Sequence, residues 1–554
     1  MKSKLAKALR WCVERAPEAC LTAFALAVLP LAFLLARGAV GELAKLLSAP
    51  VDYLRSRGAA PWTLAGALTC AAGTGVLAYV LWRNWTTVWA VARKMILEAL
   101  HRRVVLVLLV FFGVLMPILP FVLKAAGSLK SQVQLVLLYS LVLALVLLSL
   151  LAIFVTTASV CSEVETKQVH ITDTKPMRRW QFLLGKWFGV VVMCAGVLWV
   201  MALGTYVLVG YVARPPDYDQ MTEQQAAKAM QERRELYEQV FAARTSVVTP
   251  LPDFSEEARK QALEALKKKD MAWAVHSYQQ RIEKEMLYRS QAVRGGGFIR
   301  WKFTGLQPKE DGTLFVRFKP HASSGRQVVG RWFVYRPPSG DGSQESGRAA
   351  PRIVWSQRGT WSENDFHTIS LSAKYVEQEG TLRLAFRNVD PERYVIFDVN
   401  DPVEVLQGTE GFFFNYYRSL AIIMVHVGLL AALGLMAGSL FSFPVASLLV
   451  ICFFIGGLIG PWFTQEFVQP DVYARLTSVT VYLDRAWRTF AGAVMAVMPN
   501  FGSFSPLGDL VNGRMVPMRQ VLGAGAVLLY LKGGAAMLVG MYFYARRELA
   551  KTIV

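Results

Sequence analysis

Charge is what this sequence has least of. Only 18% of its 554 residues are Asp, Glu, Lys or Arg, against about 25% in an ordinary soluble domain. The missing charge leaves apolar runs of roughly 17–25 residues, the length that crosses a ~30 Å hydrocarbon layer as a helix. A soluble enzyme is excluded, and a polytopic membrane protein is indicated. Cysteine is also scarce. Cys12, Cys20, Cys70, Cys161, Cys194 and Cys452 all lie in or beside apolar runs, so neither a disulfide framework nor a clustered metal site is indicated. No small-residue cleavage site follows the basic stretch Met1–Arg15, which therefore reads as the flank of an uncleaved first span. The phosphate-binding pattern Gly-x-x-x-x-Gly-Lys-Ser/Thr is missing, so the chain is not expected to hydrolyse ATP. The spans have no paired carboxylates, His-x-x-x-His or Ser/His pair, which argues against a membrane-embedded enzyme.

The net charge of +20 would suit nucleic acid, but residues 213–411 carry only about +2. The excess lies beside the apolar runs, where it sets topology. Those runs are 19–36, 62–82, 104–124, 133–157, 187–212, 416–440, 443–463 and 520–544. Eight crossings put both termini on one side. Lys2, Lys4, Lys7, Arg10 and Arg15, then Arg83, Arg93, Lys94, Arg102 and Arg103, then Arg546, Arg547 and Lys551 share that side, which the positive-inside rule makes cytoplasmic. Arg37, Lys45, Arg55 and Arg57 are the exception. Between 465 and 519, the apolar run Phe490–Met498 is short and is followed by Pro499, Pro506 and Gly508. It reads as a re-entrant or interfacial helix, with a ninth crossing as the alternative.

Residues 213–295 read as an outside helical hairpin, with helices over Gln220–Arg244 and Ser255–Ala292 separated by Thr249-Pro250-Leu251-Pro252. After Gly295-Gly296-Gly297, alternating runs predict strands at Ile299–Thr304, Thr313–Lys319, Arg331–Tyr335, Arg352–Ser356, His367–Ala373, Thr381–Arg387 and Tyr394–Val399. That pattern over 296–411 predicts an antiparallel β-sandwich. Trp332, Tyr335, Trp355 and Trp361 fill its core or form a ligand face. His321 and His367 lack a carboxylate pattern that would assign a metal. The fold class is thus a polytopic α-helical membrane protein of about eight transmembrane helices, with a large inserted α+β extracytoplasmic domain.

The connection between the fourth and fifth spans runs Cys161-Ser162-Glu163-Val164-Glu165-Thr166-Lys167-Gln168-Val169-His170-Ile171-Thr172-Asp173-Thr174-Lys175-Pro176-Met177-Arg178-Arg179-Trp180-Gln181-Phe182-Leu183-Leu184-Gly185-Lys186. Acidic residues at its start suit a helix N-terminus, Lys175-Pro176 breaks the chain, and Arg178 to Lys186 leads into the next span. In order and spacing it resembles the cytoplasmic coupling region of ABC-type (ATP-binding-cassette) export permeases of the type-2 class. It departs from that pattern at Lys167-Gln168-Val169, where the family commonly has Gly-Thr-Leu. Trp85–Arg103 resembles the family's amphipathic elbow helix, and Ser442-Phe443-Pro444-Val445-Ala446 its tight cytoplasmic turn. Phe543-Tyr544-Ala545-Arg546-Arg547-Glu548-Leu549 resembles its terminal span and tail, and Pro499-Asn500-Phe501 with Asp509 its outside re-entrant region. The resemblance covers 84–212 and 412–554 and leaves the two-span extension 1–83 and the outside block unexplained.

The resemblance implies a permease core split into 84–212 and 412–554, with the coupling segment at 161–186. It also implies a separate ATPase subunit that binds the ATP, a second permease subunit in a homo- or heterodimer, and residence in the bacterial inner membrane. The chain itself would hold no cofactor or metal and have no catalytic residues. Glu163, Glu165, Thr166, Lys175, Pro176, Arg178, Arg179 and Trp180 would contact the ATPase, and Gly185 and Lys186 would set where the chain enters the next span. His426 is the clearest ionisable residue within a span, where such groups are costly. It touches substrate or bonds a backbone carbonyl. Lipid, drug, peptide and polysaccharide export stay open, as does force transfer to an outside partner or ligand of 213–411. The rival class is a membrane-anchored extracytoplasmic binding or assembly protein without transport.

Overall fold

The computed structural model describes residues 85–101, 104–122, 129–165, 178–215, 221–267, 275–307, 312–322, 327–336, 352–377, 379–399, 401–463, 487, 489–494, 498–499 and 501–546. The spans expected at 19–36 and 62–82 lie outside this set. Contacts divide the chain into two compact units: residues 242–411 with 465–491, and the remainder.

The larger unit is helical. Helices α1 (Trp85–His101), α2 (Val104–Val122), α3 (Leu129–Glu165), α4 (Arg179–Val212) and α5 (Glu223–Gln239) precede the second unit. After it come α8 (Phe412–Leu440), α9 (Phe443–Phe463), α10 (Leu507–Val511), α11 (Met518–Ala524) and α12 (Gly534–Arg546). A π-helical stretch, Gly525–Gly533, joins the last two. Six stretches are long and apolar enough to cross a membrane: Val105–Val122, Leu129–Glu163, Arg179–Val212, Phe412–Leu440, Phe443–Gly460 and Met518–Tyr544. They coincide with the six apolar runs of the sequence that fall on described residues. The long helices exceed what a bilayer needs: the 34 residues of α4 extend about 51 Å at 1.5 Å per residue.

Helix α8 is the hub, packed by α3, α4, α9 and the α11–α12 rod. Glycines let the backbones close on one another. A methyl group on Gly434 would sit 2.0 Å from Thr156 Oγ1, and one on Gly438 would sit 3.2 Å from Val160 Cβ. This Gly-x-x-x-Gly edge of α8 therefore rides directly on α3. Trp187 Nε1 donates to the Gly428 carbonyl at 2.9 Å, and Tyr416 Oη donates to the Ala202 carbonyl at 2.9 Å. These two bonds pin α8 to α4 at two levels.

In the second unit the chain runs β1 (Ala242–Val248), α6 (Ser255–Lys267), α7 (Val275–Ser290), β2 (Ala292–Val293), β3 (Phe298–Phe303), β4 (Thr313–Phe318) and β5 (Pro320–Ala322). It continues through β6 (Gln327–Arg336), β7 (Arg352–Ser362), β8 (His367–Ser372), β9 (Leu382–Asn388), β10 (Val395–Phe397) and β11 (Glu404–Gly411). Antiparallel sheets ordered β1-β11-β4-β8 and β3-β9-β6-β7 enclose one apolar core, with β2-β10-β5 as a smaller third sheet. Trp332 is fully buried at its centre, its ring 4.8 Å from Phe318, 5.2 Å from Phe386 and 5.5 Å from Trp301. Trp361 joins that core, so these two indoles are packing residues. Tyr335 and Trp355 are partly exposed. Gly296 takes φ +72°, and a side chain on Gly295 would strike the Pro391 carbonyl; the β2–β3 turn requires glycine at both.

All seven sequence-derived strands are present. The helices expected in this region differ. The first stops at Gln239, and the residues after it form β1, paired antiparallel with β11. The expected single helix over 255–292 is two, α6 and α7, which pack together. Its last residues leave the helix for β2, whose Ala292 and Val293 pair with β10.

Because Gly434 has no room for a side chain, Gly434→Val is expected to cost about 1–3 kcal/mol and to lower the detergent unfolding midpoint. Gly113→Ala, where nothing lies within 4 Å of the added carbon, should leave the midpoint unchanged or slightly raised. Calorimetry of both purified variants checks the contrast.

Candidate functional site

The connector between the fourth and fifth apolar runs straddles the end of α3 and the start of α4. Helix α3 runs without a break to Glu165, so Glu163 and Glu165 occupy the last turn of a long helix and do not begin a new one. This corrects the expectation drawn from their charge. Carboxylates at a helix C-terminus oppose the helix dipole, and the structure supplies the compensation. Lys186 Nζ on α4 donates to Glu163 Oε2 at 2.5 Å and to the Ser159 carbonyl at 2.6 Å, and it lies 4.7 Å from the Phe182 ring centroid. The lysine side chain is 3% exposed and the glutamate 16%. Two hydrogen bonds and an aromatic face thus satisfy an ammonium that would otherwise be costly to bury.

Helix α4 begins on the other side of the connector. The Arg178 backbone N–H donates to Gln181 Oε1 at 2.9 Å, which closes the first turn. Arg178 is exposed, while Arg179 and Trp180 are partly so. The positive charge of Arg178 and Arg179 stands at a helix N-terminus, again against the dipole. The Lys186–Glu163 ion pair answers the charge at the α3 end. Thr166, Lys175 and Pro176 lie outside the described residues, as does the Glu165 side chain.

Gly185 and Gly189 form a second close contact. A methyl on Gly185 would lie 2.7 Å from Val91 Cβ, and one on Gly189 would lie 2.9 Å from the Ala92 carbonyl. Helix α1 is amphipathic: Val88, Ala92, Met95, Ile96 and Ala99 are buried on one face, and that face lies along α4. Trp85 and Trp89 stack at 5.9 Å, and both meet Phe188 edge-on. Thr86, Trp89, Arg93, Lys94 and Leu97 line an open groove along α1. The base of the connector is therefore held twice, by an ion pair to α3 and by glycine packing to α1.

His426 lies on α8, buried, with its ring 4.8 Å from that of Phe501. Neither ring nitrogen has a hydrogen-bond partner among the described residues. The bond to a backbone carbonyl that the sequence left open is not formed among them. Phe501 reaches this place because Gly457 on α9 admits it: the Phe501 N–H donates to the Gly457 carbonyl at 3.2 Å. Lys532, in the π-helical stretch, donates to the Met498 carbonyl at 2.5 Å. Pi-helical insertions often accompany function. In the β unit, His321 lies 3.8 Å from Asp398, and His367 Nε2 is 2.8 Å from the Ser362 carbonyl.

Composition alone did not reveal Ser159, Phe182, Gln181 or Gly189 as parts of this site. The spacing Gly185-x-x-x-Gly189 was the readable signal for the last. No family model matches the chain, and no curated protein and no solved structure matches it.

Removing one partner of a buried pair leaves an unanswered charge at a cost of about 3–5 kcal/mol. Glu163→Gln alone and Lys186→Met alone should each lower the unfolding midpoint clearly. The double variant should recover a large part of the loss. A double-mutant cycle by thermal unfolding in detergent checks this, and additive losses would contradict the pairing.

Proposed function

We propose that the chain is the transmembrane permease subunit of an ATP-binding-cassette export system, driven by a separate ATPase subunit. The observation that carries the reading is the construction at the base of the 166–178 connector. Glu163 and Lys186 are tied to each other, and α1 is seated on Gly185 and Gly189. A connector fixed at both roots transmits a push to α3 and α4 together. The Gly434–Gly438 contact passes it on to α8. That is the mechanical requirement for an element pressed by a partner: force must reach the spans before it dissipates in loop motion.

Six helices long and apolar enough to cross a membrane support a membrane setting. On this reading the connector lies beyond the membrane at the ends of α3 and α4. The same reading makes that side the cytoplasm of a bacterial inner membrane, with eight spans in all, both termini inside and 213–411 outside, and the positive charge beside the apolar runs supports it. A second permease subunit completes the transporter. Alternating access or mechanical work follows from ATP-driven closure of the partner pair. A membrane-anchored assembly protein is the rival, and it has no use for a connector braced at both ends.

Glu163 belongs to an internal ion pair, so a test of partner contact is cleaner at charges outside that pair. The tagged chain is purified from its own cells in mild detergent, and co-purifying proteins are searched for a Walker-motif ATPase. Wild type is expected to retain one, and Lys175→Glu with Arg178→Glu to lose at least about ten-fold of it, as charge reversal at an interface does. Absence of an ATPase from the wild type, or full retention by the variant, would move the anchor reading to first place.

A further inference from the structure

The sheet β3-β9-β6-β7 carries a charge pattern that the permease reading does not use. None of its four strands contains an Asp or Glu. Their core-facing positions are apolar or aromatic, with Trp301, Phe303, Leu384, Phe386, Trp332 and Val334 buried. The opposite face presents Arg300, Lys302, Arg331, Arg358, Arg383 and Arg387. The other large sheet differs: its buried Arg317 is answered by Glu404 at 3.3 Å. The two faces of one sandwich have therefore been given opposite electrostatic solutions.

Register aligns the charges. Arg331 on β6 is the direct cross-strand partner of Arg387 on β9 and also of Arg358 on β7. Three arginines thus stand in one line across adjacent strands, their backbones about 10 Å apart from first to last at ~4.8 Å per strand. All three residues are exposed, and none of the three is in an ion pair among the described residues. Like charges directly opposite on a sheet are destabilising. A surface that keeps three in register, without a carboxylate on any strand, bears a cost that an anion would relieve. Arg383 is the contrast, held by Glu377.

We propose that this face binds a linear phosphate-bearing polymer, its phosphates seated along the Arg387–Arg331–Arg358 row. Each guanidinium fork matches phosphate oxygens two at a time, and a straight row suits a chain-like anion whose charges repeat every few ångströms. A lipid surface fits less well. Phe298, the row's terminal member opposite Arg387, is 60% exposed, but Arg300 lies 4.6 Å from its ring centroid, so inserting the ring would draw a guanidinium towards the hydrocarbon. Single-stranded nucleic acid is recognised on free aromatic platforms, whereas Trp301, Trp332 and Trp361 lie in the core with Trp355 packed against it, and the outward rings Phe298 and Tyr335 both lie beside Arg300. The inference rests on the β unit alone and stands or falls independently of the ATPase reading.

The test uses the full chain in nanodiscs of zwitterionic phosphatidylcholine, with fluorescent long-chain inorganic polyphosphate as the probe. Wild type is expected to bind, with affinity falling steeply as salt rises. The variant Arg331→Gln/Arg358→Gln/Arg387→Gln is expected to bind at least ten-fold more weakly. Its log–log salt slope should be shallower by about 2–3, at ~0.7–0.9 for each phosphate no longer neutralised. Lys228→Gln with Lys260→Gln, on α5 and α6, serves as the control and should bind as wild type does. The triple variant should unfold at the same temperature or higher, since like-charge repulsion is removed. Four results would overturn the proposal: no binding by wild type at low salt, unchanged binding by the triple variant, a lowered unfolding midpoint in that variant, or tighter binding of oligothymidylate than of polyphosphate. A fifth is protection of residues 298–302 from hydrogen exchange that appears only when the nanodiscs contain anionic phosphatidylglycerol, which would make the occupant a lipid surface.

Discussion

A single ammonium group, that of Lys186, organises the end of the helical unit from which the connector emerges. Buried between α3 and α4, it is held by Glu163 and the Ser159 carbonyl. Both helices end with charges of the sign their dipoles disfavour: acids at the last turn of α3, bases at the first turn of α4. Lys186 answers the acidic end of α3 and ties it to α4. The consequence is directional. The two helix ends behave as one body, and the connector between them is anchored where a load would be applied.

Glycine spacing extends this coupling through the rest of the unit. Gly185 and Gly189 bring α1 against α4, while Gly434 and Gly438 bring α8 against α3. Such contacts place backbone against backbone or against short side chains, where there is little to deform. Helix α8 is accordingly well covered, while α2 has one wall on the bundle and exposes Val107, Val110, Phe111, Val114 and Phe121. In water that surface would be untenable; in lipid it is ordinary. His426 is the exception inside, a polar ring without a hydrogen bond among the described residues, set against a phenylalanine that reaches it over Gly457.

Much of this was legible in the sequence, for physical reasons that differ by element. Six of the eight apolar runs coincide with helices long and apolar enough to cross a membrane, because hydropathy over 18 or more residues is a signal that packing cannot reverse. The strands from β3 to β10 that exceed three residues, or that like β10 carry a run of Val-Ile-Phe, announce themselves by alternation or by β-branched and aromatic residues. Strand β1, Ala-Ala-Arg-Thr-Ser-Val-Val, does not: its partner β11 lies more than 150 residues away, and nothing local distinguishes it from the end of a charged helix. The split between α6 and α7 was missed because no Gly or Pro lies between Lys267 and Val275. The site was half legible. Glu163 and Lys186 were both singled out, but in separate roles, one as a partner contact and one as a marker of entry into the next span; that they meet each other depends on α3 continuing unbroken and α4 returning beside it, which composition does not encode.

The β unit has its own division of labour, with a tryptophan-centred core between two sheets, one with Arg317 paired to Glu404 and one with Arg331, Arg358 and Arg387 in register. The central claim concerns the other unit, and hydrogen exchange on the full chain addresses it most directly. Amide exchange would be followed with and without the co-purified ATPase and ATP. The account predicts protection concentrated in residues 164–178, with a smaller effect at the α3 and α4 ends and none in 242–411. Unchanged exchange at 164–178, or protection confined to 242–411, would contradict it.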